Sequence, residues 1–159
     1  MPTFDETATS EQIIEAFAPQ IKGKPFVITG TGKPSIGSWI ATSLTKGSQA
    51  HILIASWTAS KVEVVLNIGH FLLTNLLVPA LLAGGGARVV NLTSSGYLIL
   101  SFRFDDWNFS DDRTYDHLTG YGQAKTANVL LAYGLNQQLK NRGVTSTAAI
   151  TTTRSWRAT

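Results

Sequence analysis

One residue pair in this sequence has the types and spacing that suit proton transfer. Tyr121 and Lys125 are four residues apart in Tyr121-Gly122-Gln123-Ala124-Lys125, and on a helix this spacing places both side chains on one face. An ammonium group beside a phenol stabilises the phenolate and lowers the pKa of the phenol, so the pair predicts a proton donor. The alternative is an exposed helix face without chemistry, because this spacing also occurs by chance.

A hydroxyl group is expected at the end of a buried strand upstream of that pair. The apolar run from Arg88 to Leu92 predicts the strand, and Asn91-Leu92-Thr93-Ser94-Ser95-Gly96 stands at its end. In α/β sheets, ligands bind at the carboxyl ends of the strands. Ser94 is therefore expected at the ligand-binding edge.

A glycine-rich turn, Thr29-Gly30-Thr31-Gly32-Lys33-Pro34-Ser35-Ile36-Gly37, lies near the amino end between an expected strand and an expected helix. Glycines let a backbone approach a pyrophosphate, and the following helix supplies free amide groups. A P-loop is disfavoured, because Val27 stands where its first glycine is required and Pro34 follows the lysine. A purely structural turn remains the second alternative.

In this order, the three segments resemble the short-chain dehydrogenase/reductase family, whose members carry a Thr-Gly-rich turn, an Asn-x-x-Ser strand end and a Tyr-x-x-x-Lys helix. The sequence is most similar to the fungal branch related to retinol dehydrogenases and WW-domain oxidoreductases. Two runs carry this likeness, Gly69-His70-Phe71-Leu72-Leu73-Thr74-Asn75-Leu76-Leu77 and Tyr121-Gly122-Gln123-Ala124-Lys125-Thr126-Ala127-Asn128. The resemblance implies an α/β fold with a Rossmann-like, doubly wound parallel sheet and NAD(P)-dependent interconversion of an alcohol and a carbonyl.

The resemblance also implies catalytic roles. Tyr121 would transfer the hydroxyl proton, Lys125 would assist it and hold the nicotinamide ribose, and Ser94 would orient the carbonyl. Asn67 matches the asparagine that supports the family's proton relay through a bound water. A helix-capping asparagine is the alternative interpretation of that residue.

Cofactor contacts follow from the same matching. The residues expected around the pyrophosphate are Gly30, Ile36 and Gly37. Pro34 stands near a glycine that is usual in the family and removes an amide donor. Trp57 occupies a position that is often arginine in the branch, and Lys61 is the nearest cation, so NADP is favoured while NAD stays possible. Trp57 is equally well interpreted as a core or surface aromatic residue.

An internal gap interrupts the resemblance. Between Ser60 and Asn67 the family has a long segment with the third and fourth strands. After Ile150 the family continues with a substrate-covering region, which this sequence is expected to lack, because Thr151–Thr159 does not match it. The usual sheet order is 3-2-1-4-5-6, so the loss leaves an incomplete sheet. We predict that the Arg88–Leu92 strand pairs with the first strand and that catalysis is impaired. The alternative is a non-catalytic remnant that keeps a partial nucleotide-binding fold or binds a full-length relative.

The composition of the chain limits the classes of protein and the kinds of ligand that it suits. The 159 residues are 43% apolar, which suits one domain over residues 1–159. The 13 basic and 10 acidic residues give a net charge of +3 without basic runs, so nucleic-acid binding is not expected. There is no cysteine, and the histidines lack ligand spacing, so no metal is expected. A small-molecule substrate is expected, and a homo-oligomer is compatible with the resemblance.

The remaining expectations concern the cellular location of the protein and the bounds of its helices, strands and one long loop. Met1–Ser10 is polar and acidic, unlike a secretory signal, which favours a cytoplasmic protein. Ile68–Ala83 is too short to span a bilayer and predicts a buried helix. The acidic segment Tyr97–Leu118 predicts a folded loop whose carboxylates are solvated rather than calcium ligands. Other expected helices cover residues 10–20, 36–47 and 120–141, and the other expected strands cover 25–29, 51–56 and 144–150.

Overall fold

The computed structural model of the chain describes residues 2–5, 7–31, 35–47, 51–55, 63–110 and 113–150, with the side chains of residues 55 and 63–68 outside the description. Its contacts divide the chain into two compact units, Met1–Ser60 and Lys61–Thr159. We describe each unit by itself. The expectation of a single domain stays a prediction.

The first unit contains a parallel strand pair and its connecting helix. Its elements are α1 (Ser10–Ala16), α2 (Ala18–Ile21), β1 (Pro25–Thr29), α3 (Ile36–Leu44) and β2 (His51–Ala55). Strands β1 and β2 pair in parallel, from Pro25 opposite His51 to Thr29 opposite Ala55. A 3₁₀ turn carries the chain on from α3 to Gly47, where the helical segment was expected to end.

The first predicted helix begins as expected but is broken. The Thr9 side chain accepts a hydrogen bond from the Gln12 amide, and the Gln12 side chain accepts one from the Thr9 amide, which confirms the capping box. The prediction of one helix over residues 10–20 is wrong, because α1 ends at Ala16 and α2 begins at Ala18. Pro19 stands in the first turn of α2, where a missing amide hydrogen is tolerated.

The second unit is a strand, helix and strand crossover with one further helix. Its elements are α4 (Glu63–Ala83), β3 (Arg88–Thr93), α5 (His117–Leu139) and β4 (Thr145–Ile150), with short 3₁₀ turns at Ser95–Leu98, Phe104–Asp106 and Lys140–Arg142. Leu135, Leu139 and Val144 form its buried core, packed against side chains of α4 and β3. Helix α5 starts earlier than expected because Asp116 caps it, accepting hydrogen bonds from the amides of Leu118 and Thr119.

The third observed strand pairs within its own unit. Strand β3 pairs in parallel with β4, from Arg88 opposite Thr145 to Thr93 opposite Ile150, and β1 pairs with β2 in the first unit. The predicted pairing of Arg88–Leu92 with the first strand would join the two units, and it stays a prediction. Strands β3 and β4 are joined by the α5 crossover, and strands consecutive in sequence neighbour each other in roughly two-thirds of cases.

Two expectations of burial are also wrong. The first strand was expected to be buried on both faces, but Val27 is 48% exposed. Helix α4 was expected to be buried, but Leu72 and Leu76 are 56% and 70% exposed. A six-residue strand is about 20 Å long, whereas a 21-residue helix is about 30 Å long, so the β3–β4 pair cannot cover the whole helix.

The observed architecture is α/β, with short parallel sheets connected by helices, and corresponds to an incomplete Rossmann-like fold. The helices of the described segments all fall short of the length and continuous apolar character that crossing a membrane requires.

Candidate active site

Tyr121 and Lys125 lie on successive turns of α5, where both side chains are half-buried. The Lys125 Nζ is 5.1 Å from the centroid of the Tyr121 ring. This distance is within the range of a cation–π contact. The geometry thus places a positive charge beside the phenol, on one face of the helix as the spacing predicts. The catalytic roles of the two residues stay predictions.

Ser94 directly follows β3 and begins the Ser95–Leu98 turn. Its Oγ accepts a hydrogen bond of 3.3 Å from the Gly96 amide, which caps the turn. The hydroxyl hydrogen remains able to donate to a ligand, because only the oxygen is used by the cap. Ser94 therefore lies at the carboxyl end of its strand, with its orientation set by the turn.

The Ser95–Leu98 turn packs directly on the helix that carries the tyrosine. A Cβ atom at Gly96 would lie 2.5 Å from Cε1 of Tyr121 and 3.6 Å from Cγ of Lys125. On the facing side, a Cβ at Gly122 would lie 3.2 Å from the Gly96 carbonyl oxygen. Two glycines thus let the turn and helix approach closely. Sequence reasoning missed Gly96, whose only signal was its position two residues after Ser94.

Polar side chains fix α5 against the end of β3. Thr93 Oγ1 donates to the Lys125 carbonyl at 2.8 Å, and Asn128 Nδ2 donates to the Leu92 carbonyl at 2.9 Å. Thr126 Oγ1 donates to the Leu100 carbonyl at 2.7 Å. Sequence reasoning missed these positioning residues, although Thr126 and Asn128 belong to the run that carries the family likeness. Their only signal was that their side chains can form hydrogen bonds, which many surface residues also can.

The loop after the turn is tied to α5 through Gln123. This side chain is fully buried; its Nε2 donates to the Trp107 carbonyl at 2.9 Å, and its Oε1 accepts from the Arg103 amide at 3.4 Å. Buried amides require such partners. The segment is thus a folded loop, as the sequence predicts.

One carboxylate of that loop differs from the expectation of solvated side chains. Asp106 pairs with Arg103 and accepts hydrogen bonds from the hydroxyl groups of Ser110 and Thr114, at 3.0 and 3.1 Å. Asp106 thus organises the loop internally. Asp111 and Asp112 lie outside the described residues. No group of three or more acidic, histidine or cysteine side chains that could hold a metal ion is found in the part of the chain that the structure describes.

The glycine turn belongs to the first unit, and two of its glycines are required by the backbone. Gly30 has φ +68°, a left-handed conformation that side chains disfavour. A Cβ at Gly37 would lie 2.7 Å from the Gly30 carbonyl oxygen and 2.9 Å from that of Thr29. Gly37 therefore permits close packing of α3 on β1. Residues 32–34, including Pro34, lie outside the description.

The start of α3 has the properties of an anion site. Ile36 is the first residue of the helix, and Ser35 caps it through reciprocal bonds with Ser38. The Thr31 hydroxyl is buried and has no hydrogen-bond partner among the described residues. A buried hydroxyl left unpaired costs about 1–3 kcal/mol, and a helix amino terminus carries a partial positive charge. A phosphate group fits both features.

Two further candidate residues are Asn67, whose backbone alone is described, and Trp57. Asn67 lies within α4, which begins at Glu63, so the alternative of an asparagine that caps the start of this helix is wrong; its side chain lies outside the described part. Trp57 and Lys61 also lie outside the described residues, so the basis for preferring NADP stays a prediction.

A serine after a strand and a tyrosine and lysine on the next helix are the features that carry the resemblance to the short-chain dehydrogenase/reductase family. Proteins named as dehydrogenases and oxidoreductases match the chain. Retinol dehydrogenase 13 of Homo sapiens is 40% identical over 84 residues, covering 53% of this chain and 25% of the relative. Retinol dehydrogenase 12 of Bos taurus is 34% identical over 155 residues, covering 90% and 48%. The chain spans about half the length of the bovine protein and about a quarter of the length of the human protein.

A fungal protein also matches. The oxidoreductase fscI of Fusarium equiseti is 23% identical over 237 residues, covering 90% of this chain and 92% of the relative. No protein-family model matches the chain, and no solved structure does. The resemblance to the short-chain dehydrogenase/reductase family is confirmed by these relatives.

The lengths of the alignments bear on the internal gap. The alignment with the fungal oxidoreductase extends over 237 positions, more than the 159 residues of this chain, so part of that relative has no counterpart here. The alignment with bovine retinol dehydrogenase 12 has no comparable excess. The position and effect of the gap therefore stay predictions.

Proposed function

We propose that the chain is an oxidoreductase domain of the short-chain dehydrogenase/reductase type that interconverts an alcohol and a carbonyl with NAD(P), and that its turnover is impaired. The observation that carries this proposal is the group formed by Ser94, Tyr121 and Lys125. The serine caps a turn that packs on the tyrosine ring, and the ammonium group lies 5.1 Å from the ring centroid.

In the direction of reduction, a reduced nicotinamide bound to the chain would supply the hydride for the carbonyl carbon. The Ser94 hydroxyl would donate a hydrogen bond to the carbonyl oxygen, and Tyr121 would donate its proton to that oxygen as the alcohol forms. The positive charge of Lys125 would offset the negative charge left on the phenol oxygen. Asn67 would support the return of a proton through water.

For the cofactor, Gly30, Ile36 and Gly37 are the proposed neighbours of the pyrophosphate. The left-handed Gly30, the close packing at Gly37 and the Thr31 hydroxyl, which has no partner among the described residues, support this proposal. NADP is preferred over NAD in our proposal because Lys61 is the cation nearest to the position of Trp57 in the sequence. A cytoplasmic location also stays a proposal, which imaging of a fluorescent fusion would test.

The experiment is a titration of the purified chain with NADPH and, separately, NADH, followed by nicotinamide fluorescence. We expect weak binding with NADPH the tighter ligand, and loss of binding in Gly30→Val, because a branched side chain strains the left-handed turn. Gly69→Ala is the matched control, since a Cβ there meets nothing within 4 Å. Unchanged binding in Gly30→Val would remove the turn from the cofactor site.

The second candidate function is a non-catalytic remnant that binds a full-length relative. One observation favours it: α4 and α5 expose large apolar side chains, including Leu76 at 70% and Tyr133 at 66%. These helices and residues 102–107 also border an apolar cavity of about 650 Å³, whose walls include Phe71, Trp107 and Leu130. Exposed apolar surface of this kind marks interaction sites.

Light scattering distinguishes a complex of the chain with a full-length relative from a complex of the chain with itself. A stable complex of the chain with the Fusarium equiseti oxidoreductase, lost in Tyr133→Glu, would favour the remnant. A complex formed by the chain with itself and lost in the same variant would instead establish a homo-oligomer. A monomer in both experiments would contradict both assemblies.

A further inference from the structure

Gly96 lies where the serine segment, the tyrosine and the lysine meet. It is buried in the Ser95–Leu98 turn, and its amide donates to Ser94 Oγ at 3.3 Å. Its missing side chain faces the Tyr121 ring, since a Cβ would lie 2.5 Å from Cε1 and 2.9 Å from Cδ1. The Lys125 Cγ lies 3.6 Å from the same point.

The conformation of Gly96 itself does not require glycine. Its φ is not among the positive values that mark Gly23, Gly30, Gly85, Gly86 and Gly143. The requirement is therefore one of space, and the space is taken by the ring of Tyr121. This distinguishes Gly96 from glycines such as Gly30, where the backbone sets the requirement.

The surrounding contacts limit how the clash could be relieved. The turn cannot retreat freely, because the Leu100 carbonyl accepts from Thr126 Oγ1 at 2.7 Å and the Tyr97 carbonyl from the same hydroxyl at 3.3 Å. The helix is held by Asn128, which donates to the Leu92 carbonyl. Since ordinary carbon contacts are about 3.5–4.0 Å, a methyl group at Gly96 would displace the ring by about 1 Å.

We propose that Gly96 is a positioning residue for Tyr121: its amide orients the Ser94 hydroxyl, and its lack of a side chain sets the place of the phenol ring beside that hydroxyl. The effect of Gly96 on catalysis rests on the proposed function of the chain. A displacement of 1 Å from the reactive geometry lowers rates by about a hundredfold. The contact between Gly96 and Tyr121 can be tested without any activity.

Gly96→Ala is the test variant, and Gly120→Ala is its matched control. A Cβ at Gly120 would lie 2.5 Å from Cε2 of Tyr115, so both variants force a methyl group against a tyrosine ring at the same distance. Only one of those rings is Tyr121. We expect the ring resonances of Tyr121, assigned by their loss in Tyr121→Phe, to shift in Gly96→Ala and to stay in place in Gly120→Ala. Unshifted Tyr121 resonances in Gly96→Ala would overturn the proposal.

A double-mutant cycle covers the case in which Gly96→Ala folds poorly. If the clash is with the tyrosine ring, Gly96→Ala should lower the Tm by at least about 2 °C in the parent chain and by much less in a Tyr121→Ala background. Equal losses in both backgrounds would overturn the proposal, since the methyl group would then clash with something else.

The kinetic arm uses NADPH and retinaldehyde with the same chain, and retinaldehyde is the test carbonyl because several relatives are named retinol dehydrogenases. Gly96→Ala should lower kcat about a hundredfold relative to the parent while the KM for NADPH changes little, and Gly120→Ala should leave kcat within severalfold. An unchanged kcat in Gly96→Ala would overturn the positioning role. If the parent chain reduces nothing, the proposed function fails, and the resonances and the Tm cycle alone decide whether Gly96 sets Tyr121.

Discussion

The helix that carries Tyr121 and the turn that carries Gly30 are held in place by different kinds of contact. Helix α5 is fixed by side-chain hydrogen bonds to residues 16 to 36 positions away, such as those of Gln123 and Asn128. Apart from the pairing of Thr29 with Ala55, the contacts described for the glycine turn join residues within Thr29–Ser38. The helix therefore depends on tertiary structure, whereas the turn depends mainly on local backbone geometry.

This difference explains why both features persist in a chain with a predicted internal gap. The partners described for α5 all lie after residue 69, and those described for the turn all lie before residue 56. The predicted gap falls between these ranges. Each half of the candidate site therefore keeps its own contacts, and the expected damage concerns how the halves are spaced.

The largest effect should come from restoring that spacing. We expect a family-derived segment carrying the third and fourth strands, inserted between Ser60 and Asn67, to raise kcat/KM for retinaldehyde reduction by at least about a hundredfold, because it restores reactive geometry. Steady-state kinetics with NADPH measure the effect. A Gly-Ser segment of equal length is the control, and an equal gain from that control would contradict the role of the strands.

The next effect is on stability, and it compares a tightly packed glycine in the first unit with an open glycine in α5. Gly37→Ala should destabilise the first unit by about 1–3 kcal/mol, since its methyl group meets backbone carbonyl oxygens that cannot rotate away. Gly134→Ala in α5 should instead stabilise by about 0.5–1 kcal/mol, because a Cβ there meets nothing within 4 Å and alanine favours a helix. Urea unfolding measures both. An increase in the free energy of unfolding in Gly37→Ala would contradict the close packing of α3 on β1.

A smaller effect is expected at the tertiary hydrogen bonds of α5. Asn128→Leu should lower the free energy of unfolding by about 1–2 kcal/mol, because it leaves the Leu92 carbonyl without this donor. Asn75→Leu is the control, since Asn75 donates only to the Phe71 carbonyl one turn away and is exposed. Equal losses in the two variants would mean that α5 is not held by this bond.

The smallest effect concerns pH. Burial, and then the positive charge of Lys125, hold the pKa of His70 below its usual 6.5. The unfolded chain therefore binds more protons than the folded chain below pH 6.5, so stability should fall as the pH drops through that value. Thermal unfolding between pH 8 and 5 measures the slope. His70→Gln should flatten it, and an unchanged slope would assign the effect to other groups.

Sequence reasoning located local features better than long-range ones. The Thr9 capping box, β1 and the α3 segment ending at Gly47 were predicted because their signals lie within a few residues of the structure that they specify. The exposure of α4 was mispredicted, because it depends on which distant elements remain to cover the helix.

The candidate site divides in the same way. The face shared by Tyr121 and Lys125 follows from helical spacing, and the strand end at Ser94 follows from the apolar run before it. Gly96 and Gln123 could not be found in this way. Their importance arises from the close approach of the turn and loop to α5, which no local pattern encodes.

The central claim is that the Tyr121 and Lys125 pair is in place while the predicted gap keeps the chain from ordinary turnover. The direct measurement is the rate of retinaldehyde reduction by NADPH with the 159-residue chain and its Tyr121→Phe variant. Enzymes commonly turn over at about 10 s⁻¹, and we expect this chain to fall at least about a hundredfold below that rate. Turnover near the ordinary rate that is lost in Tyr121→Phe would contradict the impairment and leave the family assignment intact.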